Sequence, residues 1–212
     1  MRPLKAYIDL SALTFNLKLV KKIAKNSKVM AVLKANAYGH GLIESVKAIK
    51  SAEGIAILTI EEAVKIRKAG FKNTILLLEG LFAAEDIHQA EKLNLNIVVH
   101  NDQQMDYLSY VTLKNPINVH LKMNTGMNRL GFPPDQVDYL IENLNANPNV
   151  SEITLMTHFA TADEKEGITK QLDCFNRVTN NYNFSSSVAN SAALYKFPEA
   201  RLYWVRPGIM LY

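Results

Sequence analysis

The residues Val32-Leu33-Lys34-Ala35-Asn36-Ala37-Tyr38-Gly39-His40-Gly41 carry the types that could do covalent chemistry in this chain. The apolar run before Lys34 reads as a strand that presents an amine at its C-terminal end, just ahead of two glycines flanking a histidine. Apolar neighbours disfavour an ammonium and free a nucleophilic amine able to attack a carbonyl carbon. The alternative is a strand-end lysine that lays its stem on apolar surface and keeps its charge in water. His40 reads as a residue serving the glycine turn.

Other candidates stand at the ends of later apolar runs. Arg129 follows a run ending at Lys122 and a turn at Gly126. Its permanently cationic guanidinium would project where it can hold an oxyanion, the alternative being a surface salt bridge. His158 closes a run in Thr157-His158-Phe159, as a functional ring or as a half-buried histidine bonded to backbone. Asn190-Ser191 open a short helix and Gly208-Ile209 follow the last run, so hydroxyl and backbone N–H donors would converge where a phosphate could sit. A helix cap at Ser191 is compatible with that role. Arg206, before Pro207-Gly208, is a donor that stays protonated. Glu79 and His100 also fall at run ends.

The elements that must position these residues alternate. Lys5 to Leu10 reads as a short strand, and Ser11 as the cap of a helix on which Leu13, Leu17, Val20 and Ala24 recur at helical spacing. Eight strand-like runs follow: 29–33, 55–60, 74–78, 96–99, 117–123, 152–156, 185–189 and 202–205. Helix-like stretches separate them, among them 61–69 closed by Gly70, 84–93 closed by Asn94, and 134–144 entered through Pro133-Pro134. Eight runs alternating with helices predict a parallel sheet closed into a (β/α)8 barrel of the TIM type. An open doubly wound sheet is the competing fold, and the absence of G-x-G-x-x-G after the first strand speaks against it. In a barrel, Glu79, His100, Arg129, His158, Asn190 and Arg206 share one rim with Lys34. The helix before the first strand is expected to take the place usually filled by a helix after the eighth, near which the sequence ends at Tyr212.

Bulk properties narrow the function classes. With 212 residues and 48% apolar content, one large core and a single domain over 1–212 are expected. The 24 basic and 20 acidic residues are scattered without a long basic run, which argues against a nucleic-acid partner. The start, MRPLKAYIDL, lacks the apolar core of a signal peptide, and no apolar run approaches the roughly 18 residues that span a bilayer, so a cytoplasmic protein without a membrane partner is expected. Cys174 has no second cysteine for a disulfide or a metal pair, and reads as a small buried or half-buried residue of the amphipathic stretch 171–182. No metal site is expected.

The decapeptide LKANAYGHGL resembles the segment around the cofactor lysine of the alanine racemases, pyridoxal-phosphate enzymes of bacterial wall synthesis. Further resemblances follow in the same order over nearly the whole chain: KMNTGMNRLGF at 122–132, Thr157-His158-Phe159, Asn190-Ser191-Ala192, and VRPGIMLY at 205–212. They imply a pyridoxal-phosphate barrel of fold type III that interconverts L-alanine and D-alanine for peptidoglycan precursors. The resemblance puts the cofactor on Lys34, with Tyr38, Asn190, Ser191, Gly208 and Ile209 about its phosphate. It further implies that His158 stacks on the cofactor ring and that Arg206 faces the pyridine nitrogen. Arg129 would contact the phenolic oxygen and the substrate carboxylate. Lys122 matches a position carbamylated in some members, where the added carboxylate steadies that arginine, although a structural lysine is equally compatible with the sequence. Asn124 replaces an aspartate common in the family.

By the same resemblance Lys34 takes the α-proton on one face, and the second base is a tyrosine from a C-terminal β-domain, supplied across a homodimer. None of the tyrosines here matches it. The chain is therefore expected to be the N-terminal domain of a longer racemase, lacking that second base. A noncatalytic, barrel-only pyridoxal-phosphate homeostasis protein is the alternative.

Overall fold

A computed structural model describes residues 3–212. Eight parallel strands close into a barrel in sequence order: β1 (Lys28–Val32), β2 (Gly54–Ile57), β3 (Thr74–Leu77), β4 (Asn96–Val99), β5 (Ile117–Lys122), β6 (Val150–Met156), β7 (Ser185–Ser187) and β8 (Trp204–Val205). Closure comes from β8 pairing with β1 through Lys28↔Trp204 and Val29↔Val205. The barrel is thus the expected (β/α)8 fold, and the open sheet is excluded. The last two strands are shorter than the runs that announced them, because β7 and β8 share only the pair Ser187↔Trp204 before they diverge.

The helices are α1 (Leu10–Ala24), the single turn α2 (Lys34–Tyr38), α3 (Leu42–Ala48), α4 (Ile60–Lys68), α5 (Asp86–Lys92), α6 (Asp102–Ser109), α7 (Val137–Ala146), α8 (Thr169–Thr179) and α9 (Ser191–Lys196). Leu13, Leu17, Val20 and Ala24 form the buried stripe of α1, as their spacing predicts. The cap is Asp9 and not Ser11: the Asp9 carboxylate accepts from the Ser11 N–H at 2.8 Å and the Ala12 N–H at 3.2 Å. The strand expected at Lys5–Leu10 does not form. Residues 3–9 are exposed and without secondary structure, since a closed barrel offers no free edge to pair with. Helix α1 packs against α3, α9 and the 3-10 turn Ile209–Leu211, with the Asn16 side chain donating to the Leu211 carbonyl at 3.0 Å. It occupies the place of the helix that would follow β8.

The core has two parts. A large apolar layer lies between barrel and helices, and a smaller cluster of Met30, Val32, Ala56, Leu76, Val98, Met156 and Trp204 fills the barrel interior. Cys174 is half-buried on α8. Among the described residues no helix is long and apolar enough to cross a membrane.

Candidate active site

Lys34 leaves the end of β1 and enters α2, which winds left-handed. Ala35, Asn36 and Ala37 have φ of 52°, 55° and 56°, and Tyr38 continues at 52°. An L-residue in this region costs roughly 1–2 kcal/mol through contact of its Cβ with the following carbonyl oxygen. The turn is held by its surroundings. Ala37 is fully buried, and the Asn36 side-chain oxygen accepts from the Leu42 N–H at 2.8 Å. His40 Nδ1 lies 3.1 Å from the carbonyls of both Ala37 and Tyr38. Carbonyls only accept, so the His40 ring proton sits on Nδ1. The outcome is a lysine and a tyrosine fixed on one wall, with Lys34 Nζ 5.7 Å from the centre of the Tyr38 ring.

A cavity of 730 Å³ opens at this rim, at the C-terminal ends of the strands. Every residue expected there borders it: Lys34, Tyr38, Lys122, Arg129, His158, Asn190, Ser191, Arg206, Gly208 and Ile209, together with Glu79 and His100. Four of these are cations, against the carboxylates of Glu79 and Asp163 on the lining. Among the described residues, none of the four cations forms an ion pair.

Arg206, only 3% exposed, is the most deeply set of them. It donates from Nη1 to Ser187 Oγ and from Nη2 to the Thr157 carbonyl, each at 2.7 Å. Burial lowers it to about 10, which still leaves it charged at neutral pH. Nη2 also lies 3.4 Å from His158 Nδ1. Arginine can only donate, so Nδ1 accepts and the neutral imidazole carries its proton on Nε2. Burial, then Arg206, Lys122, Arg129 and Lys34, bring His158 down to about 3. Its ring is therefore a neutral surface at physiological pH.

Lys122, 6% exposed at the end of β5, is brought to about 8 by burial and by Arg206 and Arg129, with Glu79 acting in the opposite sense. The loop that carries Arg129 doubles back on this strand: Phe132 N–H donates to the Lys122 carbonyl at 2.9 Å. That return requires Gly131, where φ is 118° and a Cβ would stand 2.9 Å from the Asn124 nitrogen. Asn124 Oδ1 accepts from the N–H groups of Gly126 and Asn128, and its Nδ2 donates to Asn128 Oδ1, all at 3.0 Å. An aspartate could make the first two bonds but not the third. Arg129 itself is exposed, with its guanidinium free of any hydrogen-bond partner among the described residues.

At the other end of the cavity Ser191 Oγ accepts from the Gly208 N–H at 2.9 Å and the Met210 N–H at 3.4 Å. The Gly208 N–H, expected to face a phosphate, is thus engaged. The Ser191 proton, the Tyr38 hydroxyl and the Ile209 N–H remain as donors. The cap of α9 is Asn190, whose Oδ1 accepts from the Ala193 N–H at 2.9 Å while its Nδ2 donates to the Phe159 carbonyl at 3.1 Å. The cap falls there and not on Ser191, so Asn190 positions Ser191. A Cβ on Gly208 would lie 2.5 Å from the Tyr38 hydroxyl, so glycine is what lets that oxygen approach.

Sequence reasoning missed the partners that hold these groups. Thr157 Oγ1 donates to the Met123 carbonyl at 2.9 Å and therefore accepts from Thr125 Oγ1 at 2.8 Å. Gln104, a buried glutamine on α6, accepts from the His100 N–H at 3.0 Å and donates to the Glu79 carbonyl at 2.7 Å. A polar side chain at a helix position turned toward the barrel was the one available signal for Gln104.

A closed (β/α)8 barrel with a cation-lined cavity at the C-terminal rim, entered by a lysine and a tyrosine from the first strand, has the arrangement of a barrel enzyme for anionic small molecules. The chain belongs to the alanine racemase family: residues 8–212 match the model described as alanine racemase, N-terminal domain. Alanine racemase of Nitrosospira multiformis is 49% identical over 214 residues, covering 100% of this chain and 60% of the relative. The biosynthetic alanine racemase structure from Pseudomonas aeruginosa superimposes with a TM-score of 0.96 at 41% identity, covering 100% of this chain and 60% of that one. For the alanine racemase structure from Acinetobacter baumannii the TM-score is 0.89 at 35% identity, over 97% of this chain and 62% of that one. The chain thus spans about 60% of the length of these relatives.

Proposed function

We propose that this barrel is the cofactor-binding N-terminal domain of a cytoplasmic alanine racemase, residues 1–212 forming one domain of a longer, homodimeric enzyme. The observation that carries this reading is the convergence of Lys34, Lys122, Arg129 and Arg206 on one cavity without ion-pair partners among the described residues. Unpaired cations gathered in a partly dry cleft favour a ligand with several negative charges. Pyridoxal phosphate fits the donor set: Lys34 for its aldehyde, Tyr38, Ser191 and Ile209 for its phosphate, His158 for its ring face and Arg206 for its pyridine nitrogen. The close approach of Tyr38 to Gly208 supplies the cradle at the phosphate end. Bound there, the cofactor would supply an electron sink that stabilises negative charge at the substrate Cα.

The chain's own residues do the rest. Lys34 Nζ, once free, takes the α-proton on its face and returns it. Arg129, exposed at the mouth, holds the alanine carboxylate and the cofactor's phenolic oxygen. Arg206 is only a donor, so it keeps the ring nitrogen unprotonated and moderates the electron sink, which favours reprotonation over side reactions. Lys122 is the candidate for a carbamate: at about 8 its ammonium loses a proton more readily than that of an ordinary lysine, and the neutral amine then forms an N–C bond to carbon dioxide and gives up a second proton from nitrogen to solvent. The resulting carboxylate would steady Arg129. The second base would come from the portion of the relatives beyond this span.

Borohydride reduction after incubation with pyridoxal phosphate, followed by peptide mapping, tests the reading. A single pyridoxyl group on Lys34, lost in Lys34→Ala, is expected; label spread over surface lysines overturns it. The barrel-only carrier predicts the same label, and a continuing β-domain in the downstream reading frame decides against it.

A further inference from the structure

Three rings meet behind the phosphate end of the cavity. Tyr212 follows the 3-10 turn Ile209–Leu211, and its ring lies 5.0 Å from that of Tyr38 and 4.6 Å from that of His40, tilted 37° and 32°. Its hydroxyl donates to the Val32 carbonyl at 3.4 Å, and the Val32 N–H donates to the Pro207 carbonyl at 2.9 Å. The end of β1 and the segment after β8 are therefore laced together beside Gly208, against which the Tyr38 hydroxyl rests. Nothing in the reaction uses Tyr212, yet it touches both aromatic residues of the segment following Lys34.

We propose that Tyr212 is the positioning residue of the phosphate end: by stacking on Tyr38 and His40 it holds the left-handed turn closed and keeps the Tyr38 hydroxyl at Gly208. The backbone of Tyr38, at φ 52°, stands in a region that an L-residue leaves when released. Aromatic contacts stabilise beyond the area they bury, so two of them on this turn work against its left-handed strain. Removing the ring lets the turn relax, and the hydroxyl withdraws from the place where a phosphate oxygen would be received. This rests on the cofactor reading above, and its test separates the two.

Affinities for pyridoxal phosphate and for pyridoxal, which lacks the phosphate, are measured by absorbance titration of the wild-type protein, Tyr212→Ala and Tyr212→Phe. Hydrogen exchange of the backbone amides of residues 37–41 is followed without ligand. Tyr212→Ala is expected to lose about tenfold in affinity for pyridoxal phosphate, which corresponds to about 1.4 kcal/mol. Its affinity for pyridoxal stays within about twofold, and exchange of those amides quickens, whereas Tyr212→Phe keeps the wild-type values because the rings still stack. Gly208→Ala, whose added Cβ displaces the Tyr38 hydroxyl from the opposite side, reproduces the selective loss. Equal weakening of both ligands in Tyr212→Ala, or unchanged exchange, overturns the proposal. A wild-type protein that takes up no pyridoxal phosphate overturns the cofactor reading, and the exchange data alone then decide whether Tyr212 holds the turn.

Discussion

The inside of the barrel is two unlike halves. Strands β1 to β4 fill it mainly with the apolar Met30, Val32, Ala56, Leu76 and Val98, Asn96 being the polar exception, its Nδ2 3.5 Å from His120 Nε2. Strands β5 to β8 place His120, Lys122, Thr154 and Ser187 there, and Arg206 follows directly, with Met156 and Trp204 between them. Apart from Asn96, the first half packs. In the second, each charged or hydrogen-bonding group has been taken from water, and the penalty is visible in the lowered values of His120, Lys122, His158 and Arg206. One side of the barrel thus supplies a largely apolar wall, and the other carries buried positive charge at Lys122 and Arg206.

Breaking the charged half at its centre gives the largest effect. Arg206→Leu is expected to lower pyridoxal-phosphate affinity by about 100-fold or more, since a buried charged donor is worth several kcal/mol when its partners depend on it. The same variant raises His158 toward its usual range, incompletely because burial is the larger cause, and an NMR titration of the ring reads this directly.

Acid comes next. His120 and His158 stand near 3 when folded and near 6.5 when unfolded, so the unfolded chain binds more protons throughout that interval. Stability is therefore complete above about pH 6.5 and falls as the pH drops toward 3, by an amount on the order of a few kcal/mol. Urea midpoints at pH 7 and pH 4 measure the fall. His120, 0% exposed, has no partner for Nδ1 and meets Asn96 Nδ2 through Nε2 at 3.5 Å, so His120→Leu should flatten the acid slope while costing about 1 kcal/mol at pH 7 for the lost Asn96 contact. An unchanged slope would assign the acid loss elsewhere.

The converse exchange is Val98→Thr, which puts an unpartnered hydroxyl into the apolar half. It should cost about 1–3 kcal/mol of stability and leave ligand affinity alone. Ser187→Ala, which removes only the acceptor at Arg206 Nη1, is expected to cost about 1–2 kcal/mol and to weaken the cofactor slightly. Chemical denaturation of the two variants side by side tests whether the halves differ as described.

The same division explains what was legible in the sequence. Strands β1 to β4 are continuous apolar runs and could be read as buried parallel strands. The rim residues were legible because each follows such a run, so counting the runs placed Lys34, Arg129, His158 and Arg206 on one side. Ser187 was not legible: within Ser185-Ser186-Ser187 nothing distinguishes the serine that meets an arginine from its neighbours. The bonds from Gln104 to the Glu79 carbonyl and from Thr125 to Thr157 reach across 25 and 32 positions in the chain, which no local pattern encodes. The stretch Lys5 to Leu10 suggested a strand, but a strand also needs an edge, and none is free on the barrel.

The left-handed turn after Lys34 lay beyond any propensity scale, because Lys-Ala-Asn-Ala-Tyr is good material for a right-handed helix. Its consequence is stereochemical. At Ala35, with φ 52° and ψ 54°, the backbone traces the mirror image of an ordinary helical residue. Glycine, which has no handedness, should stabilise the protein there by about 0.5–1 kcal/mol, the reverse of its usual effect in a helix. D-alanine, introduced at position 35 by chemical ligation, should do so by more, because its methyl group points away from the carbonyl that the L-form crowds. At the residue beside its reactive lysine, the fold is built for the opposite enantiomer of the alanine it contains.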